Sequence, residues 1–157
     1  MILSDIINLI GNWSGSGVAL IPGASNTPYM DSLIFEFDSS KNLIFYIHRT
    51  KYDLPGKEND TLHIESGFIK QTDEGTIELS NSQNNGRVEV MVLEKFETGN
   101  NGIKLIFSSK LFGNDPRMLR TTREFIITEN TLTYEMKMAT QMNNSLNTHL
   151  KAVLKRI

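Results

Sequence analysis

The sequence predicts an all-β fold, an antiparallel up-and-down barrel of about ten strands with a short N-terminal helix. Three observations lead to this prediction. Apolar and polar residues alternate with period two over most of the chain, turn-forming residues separate the alternating runs at regular intervals, and no segment is suited to a long crossover. At 157 residues, the chain is predicted to be a single domain spanning residues 1–157 with a substantial core.

The first predicted element is a helix of one or two turns. Ser4 or Asp5 can cap its N-terminus, and Gly11 can end it. Its apolar side chains are Ile6, Ile7, Leu9 and Ile10. We expect the side that they form to close one end of the barrel.

Strand-like alternation follows, and it is clearest in residues 43–48, 61–70, 88–92, 103–107 and 132–138. Turn signals lie at residues 38–42, 72–75, 84–86, 99–102 and 129–130, and Asn-Gly pairs among them favour tight hairpins. Two longer interruptions, residues 50–60 and 113–117, are predicted to be loops at a rim of the barrel.

Composition excludes several classes of function. The net charge of −2 and the scattered basic residues do not favour a partner such as nucleic acid or an anionic membrane. The absence of cysteine excludes disulfides, cysteine-zinc sites and thiolate-ligated haem. The N-terminus lacks the features of a signal peptide, and no run approaches the length of a membrane span, so a cytoplasmic location is the expectation.

The two ends of the chain suggest where a ligand binds. Small barrels often close by pairing the first and last strands, which would place the glycine-rich segment around Trp13 beside the segment that begins at His149. A barrel of this size can hold one small ligand, and an imidazole that faces inward is a suitable axial ligand for haem iron.

Four stretches resemble the nitrobindin family, the haem-binding β-barrels that also form the C-terminal domain of some THAP-type proteins. They are residues 11–17 (G-x-W-x-G-x-G), residues 62–68 (containing H-x-E-S-G), residues 75–90 with Gln83 and Arg87, and residues 132–156 with His149. The resemblance implies a ten-stranded barrel that binds haem b, with His149 as the axial ligand of the iron. It also implies binding of NO and isomerisation of peroxynitrite to nitrate at ferric haem.

The resemblance also suggests further cofactor contacts. Met138 takes a position that is near the haem in relatives, and His63 is placed to line the pocket or act as a rival ligand. Gly23 stands where the family often has a threonine close to the haem, and Arg117 falls where relatives have a lysine. The chain has one residue more than usual between Met138 and His149.

Some alternatives remain open from the sequence. By strict alternation, His149 points outward if Leu150, Ala152 and Leu154 point inward, unless a bulge at the start of the strand turns it. Whether the chain is an enzyme is also open, since a lipocalin-like carrier of a small apolar ligand or tetrapyrrole would show the same features. A third reading is a relative that has lost haem and serves as an interaction module. The oligomeric state is expected to be monomer or homodimer.

The remaining conspicuous side chains have simpler interpretations. Trp13 is predicted to be structural, with Arg156 or Arg123 stacked on its ring. His63 can pair with Glu65 within the sheet, and His48 is predicted to lie at the surface. Spacing brings no two of the glutamates at positions 65, 78 and 89 together, so no acid pair is predicted.

Overall fold

The computed structural model describes residues 2–99 and 102–157, and it is a closed barrel of ten antiparallel strands. Each strand pairs with the next in sequence, and β1 pairs with β10 to close the barrel. A 3-10 helix, Leu3–Leu9, precedes the strands. The strands are β1 Gly11–Ala19, β2 Thr27–Asp38, β3 Leu43–Tyr52, β4 Thr61–Gln71, β5 Ile77–Gln83, β6 Val88–Gly99, β7 Gly102–Gly113, β8 Met118–Thr128, β9 Thr131–Thr140 and β10 Asn143–Arg156. The predicted all-β barrel with a short N-terminal helix is therefore confirmed.

The turns lie where the sequence predicted them. Asn42 and Glu129 adopt positive φ angles of 48° and 50° between β2 and β3 and between β8 and β9. Gly75 and Gly86 do the same at 86° and 88°, in a region of φ that glycine enters without steric cost. The turn predicted at residues 99–102 includes residues 100 and 101, which lie outside the described residues.

The glycines of the first and second motifs are explained by the close approach of neighbouring strands. A Cβ atom on Gly15 would collide with the backbone carbonyl of Val153 on β10. A Cβ atom on Gly67 would collide in the same way with the carbonyl of Ser80 on β5. Both positions therefore exclude every larger residue at this strand spacing.

The end of the barrel at which β1 begins is closed by the N-terminal helix. Its residues Leu3, Ile6 and Leu9 are buried in the core. Trp13 is fully buried, and its Nε1 donates a hydrogen bond of 2.9 Å to the Leu9 carbonyl. Arg156 lies over the indole ring at 4.1 Å and donates to two carbonyls of the N-terminal segment. The prediction that Trp13 is structural, with Arg156 stacked on it, is confirmed.

The inward faces of β4 and β6 carry charge and not only apolar groups. On β4, Glu65 and Gly67 are buried, whereas Phe68 is 46% exposed on the outer face. On β6, Glu89 and Met91 face inward, while the valines at positions 88, 90 and 92 face outward. The interior is thus apolar near the closed end, polar and ionic in the middle, and open to a cavity at the other end. Within the described residues, no helix is long and apolar enough to cross a membrane.

Candidate ligand-binding site

A cavity of about 230 Å³ lies at the end of the barrel opposite the N-terminal helix. The loops after β1, β3, β5, β7 and β9 all reach this end, because every second connection of an up-and-down barrel does so. The cavity is lined by Ala19, Ile21, Leu62, His63, Gln83, Asn84, Asn85, Arg87, Met136, Met138, His149 and Leu150. The lining combines an apolar wall with amide groups, two imidazoles and one guanidinium.

His149 reaches the cavity because β10 is bulged beside it. Thr148 pairs with Lys137 of β9 and Leu150 pairs with Met136, so β10 advances two residues while β9 advances one. The extra residue in this bulge is His149, and bulges are known to re-aim a side chain in this way. Both His149 and Leu150 therefore line the cavity, which strict alternation would not permit.

A second irregularity precedes the bulge on the same strand. Asn143 pairs with Thr140 and Asn147 pairs with Met138, so β10 advances four residues while β9 advances two. A neighbouring cavity of about 170 Å³ forms beside this irregular segment, and it shares Met138 and His149 with the first cavity. The imidazole of His149 thus borders both spaces.

The surroundings of His149 favour a neutral imidazole. Burial lowers the pKa of His149 below its usual value, and the neighbouring charges of Arg87 and His63 add to that effect, against a backbone interaction with Leu20. A neutral imidazole has a lone pair available for a metal. The backbone carbonyl of His149 also accepts a hydrogen bond of 2.8 Å from the amide of Leu20, which ties the bulge to the loop after β1.

His63 connects the cavity to the polar interior. Its Nε2 lies 3.0 Å from Oε2 of Glu65, and its side chain is 18% exposed. The sequence left open whether His63 lines the pocket or pairs with Glu65, and the structure shows that it does both.

Below the cavity, the guanidinium of Arg123 lies between two buried glutamates. It donates to Oε1 of Glu65 and, at 2.9 Å, to Oε2 of Glu89. Thr121, Asn81 and Gln83 also donate to Glu89. Burial would raise the pKa of Glu65, but the positive charge of Arg123 and hydrogen bonds from His63 and Arg123 hold it well below its usual range. The spacing of the glutamates along the chain did not predict that two of them share a partner, which happens because the barrel brings β4 and β6 to one arginine of β8.

His48 extends this ionic group and is not at the surface, as the sequence suggested. Only 1% of the residue is exposed, and Nε2 lies 2.7 Å from Oδ1 of Asp31. Burial disfavours the imidazolium, but the charge and hydrogen bond of Asp31, with the nearby charge of Glu65, raise the pKa of His48 overall. The prediction failed because His48 shares its strand face with Tyr46 and Thr50, which are buried, whereas the exposed Arg49 and Lys51 lie on the other face.

At the rim of the cavity, Arg87 is held by an acidic residue from another loop. Its Nε and Nη2 donate to Oδ2 of Asp115 at 3.2 and 2.9 Å. Asp115 also accepts from the Nε and Nη2 of Arg117, whose side chain is 75% exposed. The hydrogen bonds from Arg117 and Arg87 hold the pKa of Asp115 well below its usual range.

Of the residues predicted as cofactor contacts, the structure brings three together in the cavity. These are His149, His63 and Met138. Gly23 lies in the exposed loop after β1, with a φ of 77°, and it is not part of the lining. Arg117 reaches the cavity only through its bond to Asp115, which it shares with Arg87. The site residues that the sequence analysis did not propose include Leu62, Gln83 and Arg87, and the motif at residues 75–90 was the signal that contained two of them.

Fold and site together define a class of protein, a small closed β-barrel with a histidine-bearing ligand cavity at one end. The chain belongs to the THAP4-like, heme-binding beta-barrel domain family, whose model matches residues 3–156.

Comparison with individual proteins agrees with this assignment. The chain is 32% identical to a protein of Arabidopsis thaliana named peroxynitrite isomerase Rv2717c, over 95% of this chain and 85% of that protein. It is 28% identical to peroxynitrite isomerase 2 of Mycobacterium avium, over 98% and 94% of the two chains. The crystal structure of Rv2717c from M. tuberculosis superposes with a TM-score of 0.84 at 24% identity and covers 99% of this chain and 96% of that one, which shows a shared fold.

The residues of the cavity fit a haem by the chemistry of their donors. Haem requires an axial donor, an apolar slot for the macrocycle and polar groups near its carboxylates. His149 supplies an imidazole favoured in its neutral form, and Leu62, Met136 and Met138 supply apolar wall. Arg87 supplies a cation at the rim.

Proposed function

We propose that this protein binds haem b in the cavity through His149 and converts peroxynitrite to nitrate, with NO as a further ligand. The observation that carries the proposal is the bulge that turns His149 into the cavity, where burial favours the neutral imidazole that can bind a metal. The relatives named peroxynitrite isomerase support the choice of reaction.

The proposal assigns a different role in binding to each group of side chains. The neutral imidazole of His149 donates its lone pair, while Met138 and Met136 pack against the ligand as soft, polarisable wall. When bound, ferric haem would supply a Lewis-acidic iron, which is the chemistry that isomerisation of peroxynitrite to nitrate requires. We assign Gly23 and Arg117, from two loops at this end of the barrel, to the outer rim that a bound haem would approach.

His63 sets the polarity of the cavity. Because Glu65 takes one ring nitrogen as its hydrogen-bonding partner, the ring is held in one orientation. The other ring nitrogen is then available to a ligand in the cavity. His63 is the one imidazole besides His149 in the cavity lining, so the proposal assigns it a polar contact and His149 the axial position.

The test is a titration of the apoprotein with hemin, followed by the Soret band, in parallel with the variant His149→Ala. The wild-type protein is expected to show a saturable shift typical of histidine ligation, which the variant loses and added imidazole restores. The ferric wild-type protein is then expected to accelerate peroxynitrite decay with nitrate as the product.

Two results would contradict the proposal. A Soret shift that is unchanged in His149→Ala would place the iron elsewhere and favour a carrier of tetrapyrroles. Hemin binding through His149 without faster peroxynitrite decay would retain the cofactor but overturn the reaction. Circular dichroism of the variant checks that the barrel is intact.

A further inference from the structure

We propose that Arg87 is the anchor for a carboxylate of the ligand, so that the cavity selects molecules with an apolar body and an anionic group. This inference deepens the proposed function, since haem carries two carboxylates, but it does not depend on iron. It rests on the contacts of Arg87, the charge of the cavity lining and the rigidity of the rim.

The first observation is an incomplete set of hydrogen bonds. Arg87 is only 7% exposed, and its Nε and Nη2 both bond to Asp115. No hydrogen bond within the described residues uses its Nη1. A nearly buried guanidinium with an unused donor, at the wall of a cavity, is suited to bind an anion that enters the cavity.

The second observation is the local charge. Asp115 is the carboxylate that neutralises Arg87, but it is shared with Arg117, so two guanidinium groups face one carboxylate. No carboxylate occurs among the residues that line the cavity. The lining therefore favours an anionic ligand over a neutral or cationic one.

The third observation is that the rim holds Arg87 in place. Its backbone amide donates to Oδ1 of Asn85 at 3.0 Å, and its carbonyl accepts from the amide of Gln83 at 2.9 Å. The side chain of Asn114 bonds to the carbonyl of Gly86 at 3.2 Å and joins this turn to the loop that carries Asp115. A donor held in this way loses little conformational entropy when a ligand binds.

Apolar residues form another part of the cavity lining, namely Ile21, Leu62, Met136 and Met138. A ligand that satisfies both Arg87 and these residues carries a carboxylate at one edge of an apolar body. Inorganic anions, which have no apolar body, satisfy only Arg87.

The experiment compares hemin with hemin dimethyl ester, which lacks the two carboxylate charges. Each is titrated into the wild-type apoprotein, into Arg87→Met and into Arg117→Met, which removes the exposed partner of the same aspartate. The control is Arg120→Met, an exposed arginine that is not part of the cavity lining. Arg87→Met is expected to weaken hemin binding about tenfold or more and to leave ester binding nearly unchanged. Arg87→Lys, which keeps the charge, is expected to recover part of the loss, and Arg117→Met to show the smaller effect of an exposed residue.

A second probe separates this inference from the proposed function. A dansyl-labelled undecanoic acid and its methyl ester are titrated by fluorescence, since neither needs an iron ligand. If hemin does not bind but the acid binds more tightly than its ester through Arg87, the haem proposal fails and the anchor stands. An equal loss of acid and ester binding in Arg87→Met, or no loss with either pair of probes, overturns the anchor.

Discussion

The two ends of the barrel use arginine in opposite ways. At the closed end, Arg156 stacks on Trp13 and donates to the carbonyls of Asn8 and Ile10, so its hydrogen bonds and its cation are both engaged within the fold. At the cavity end, the side chain of Arg87 bonds to Asp115, and its Nη1 has no hydrogen-bonding partner in the part of the chain that the structure describes. The comparison separates an arginine that stabilises the barrel from one that is available to a ligand.

Backbone regularity differs between the ends in the same way. Near the closed end, β10 pairs with β9 without interruption from Leu150 to Lys155. Towards the cavity, two irregularities interrupt the pairing between Asn143 and Leu150. Regular pairing keeps the closed end of the barrel rigid where the N-terminal helix packs against it. The bulge at His149 interrupts the ladder of hydrogen bonds between β9 and β10, and it turns the side chain towards the cavity. The closed end is thus built for stability, and the cavity end for the direction of a ligand-binding side chain.

The ionic group around Arg123 lies between these ends and is expected to give the largest effect. Arg123→Met leaves Glu65 and Glu89 buried without their cation, and such a change typically costs about 3–5 kcal/mol of unfolding free energy. Urea denaturation measures this loss. The matched control is Arg120→Met on the same strand, whose side chain is 53% exposed and lies 3.7 Å from Glu94, so its loss should stay below about 1 kcal/mol. Equal losses in the two variants would show that the buried arginine does not hold the middle of the barrel.

A smaller loss is expected at the closed end. Arg156→Met removes the cation over Trp13 and two hydrogen bonds to carbonyls, which together contribute about 2 kcal/mol. The urea midpoint should fall, while the hemin dissociation constant should stay within about twofold of wild type because the cavity lies at the other end. Arg87→Met should instead weaken hemin binding about tenfold or more, with a smaller loss of stability than Arg123→Met because Asp115 keeps Arg117 as a partner. If Arg156→Met weakens hemin binding as much as Arg87→Met does, the two ends are coupled and the comparison fails.

The sequence predicted the barrel well because turns and alternation are local signals. Asn42 and Gly86 mark turns through their tolerance of positive φ, and this preference does not depend on the rest of the chain. Pairing of the first strand with the last was also anticipated. It follows from the general tendency of small barrels to leave no unpaired edge.

The interior was harder to predict, because its polar members are satisfied only by residues far away in sequence. Glu65 and Arg123 are separated by 58 positions, and no pattern along either strand shows that they meet. His48 was assigned to the surface for the same reason, since its partner Asp31 lies on a different strand. On β6, the apolar valines face outward although apolar residues usually face the core, because Glu89 on the alternate face points inward.

The candidate site was predicted in part. The resemblance to a family indicated His149, but alternation alone left its direction open, because one additional residue in a bulge reverses the face of a strand. Arg87 lies within the motif at residues 75–90, but the sequence did not predict it as a site residue. A position directly after a turn is usually exposed, but the bond to Asp115 from the loop between β7 and β8 keeps Arg87 nearly buried at the cavity.

The smallest effect is expected in the pH dependence of stability. It tests the ionic group around Arg123, to which His48 belongs, and not either end of the barrel. His48 faces Asp31, Glu65, Arg123 and the ring of Tyr134, and its pKa is raised in the folded protein. The folded state therefore keeps a proton that the unfolded state loses above about pH 6.5. The resulting stabilisation is complete below that pH and is lost as the pH rises through the folded-state pKa.

The comparison of wild type with His48→Gln isolates this contribution. Urea denaturation from about pH 6 to about pH 9 should show the stability of the wild-type protein declining towards that of the variant as the pH rises. The range ends there because Tyr29, Tyr46 and Tyr134 also have raised pKa values, and they would lower stability in both proteins above about pH 10. Parallel profiles for the two proteins would mean that His48 is neutral in the folded state. In that case Arg123, and not His48, would supply the positive charge that faces Glu65.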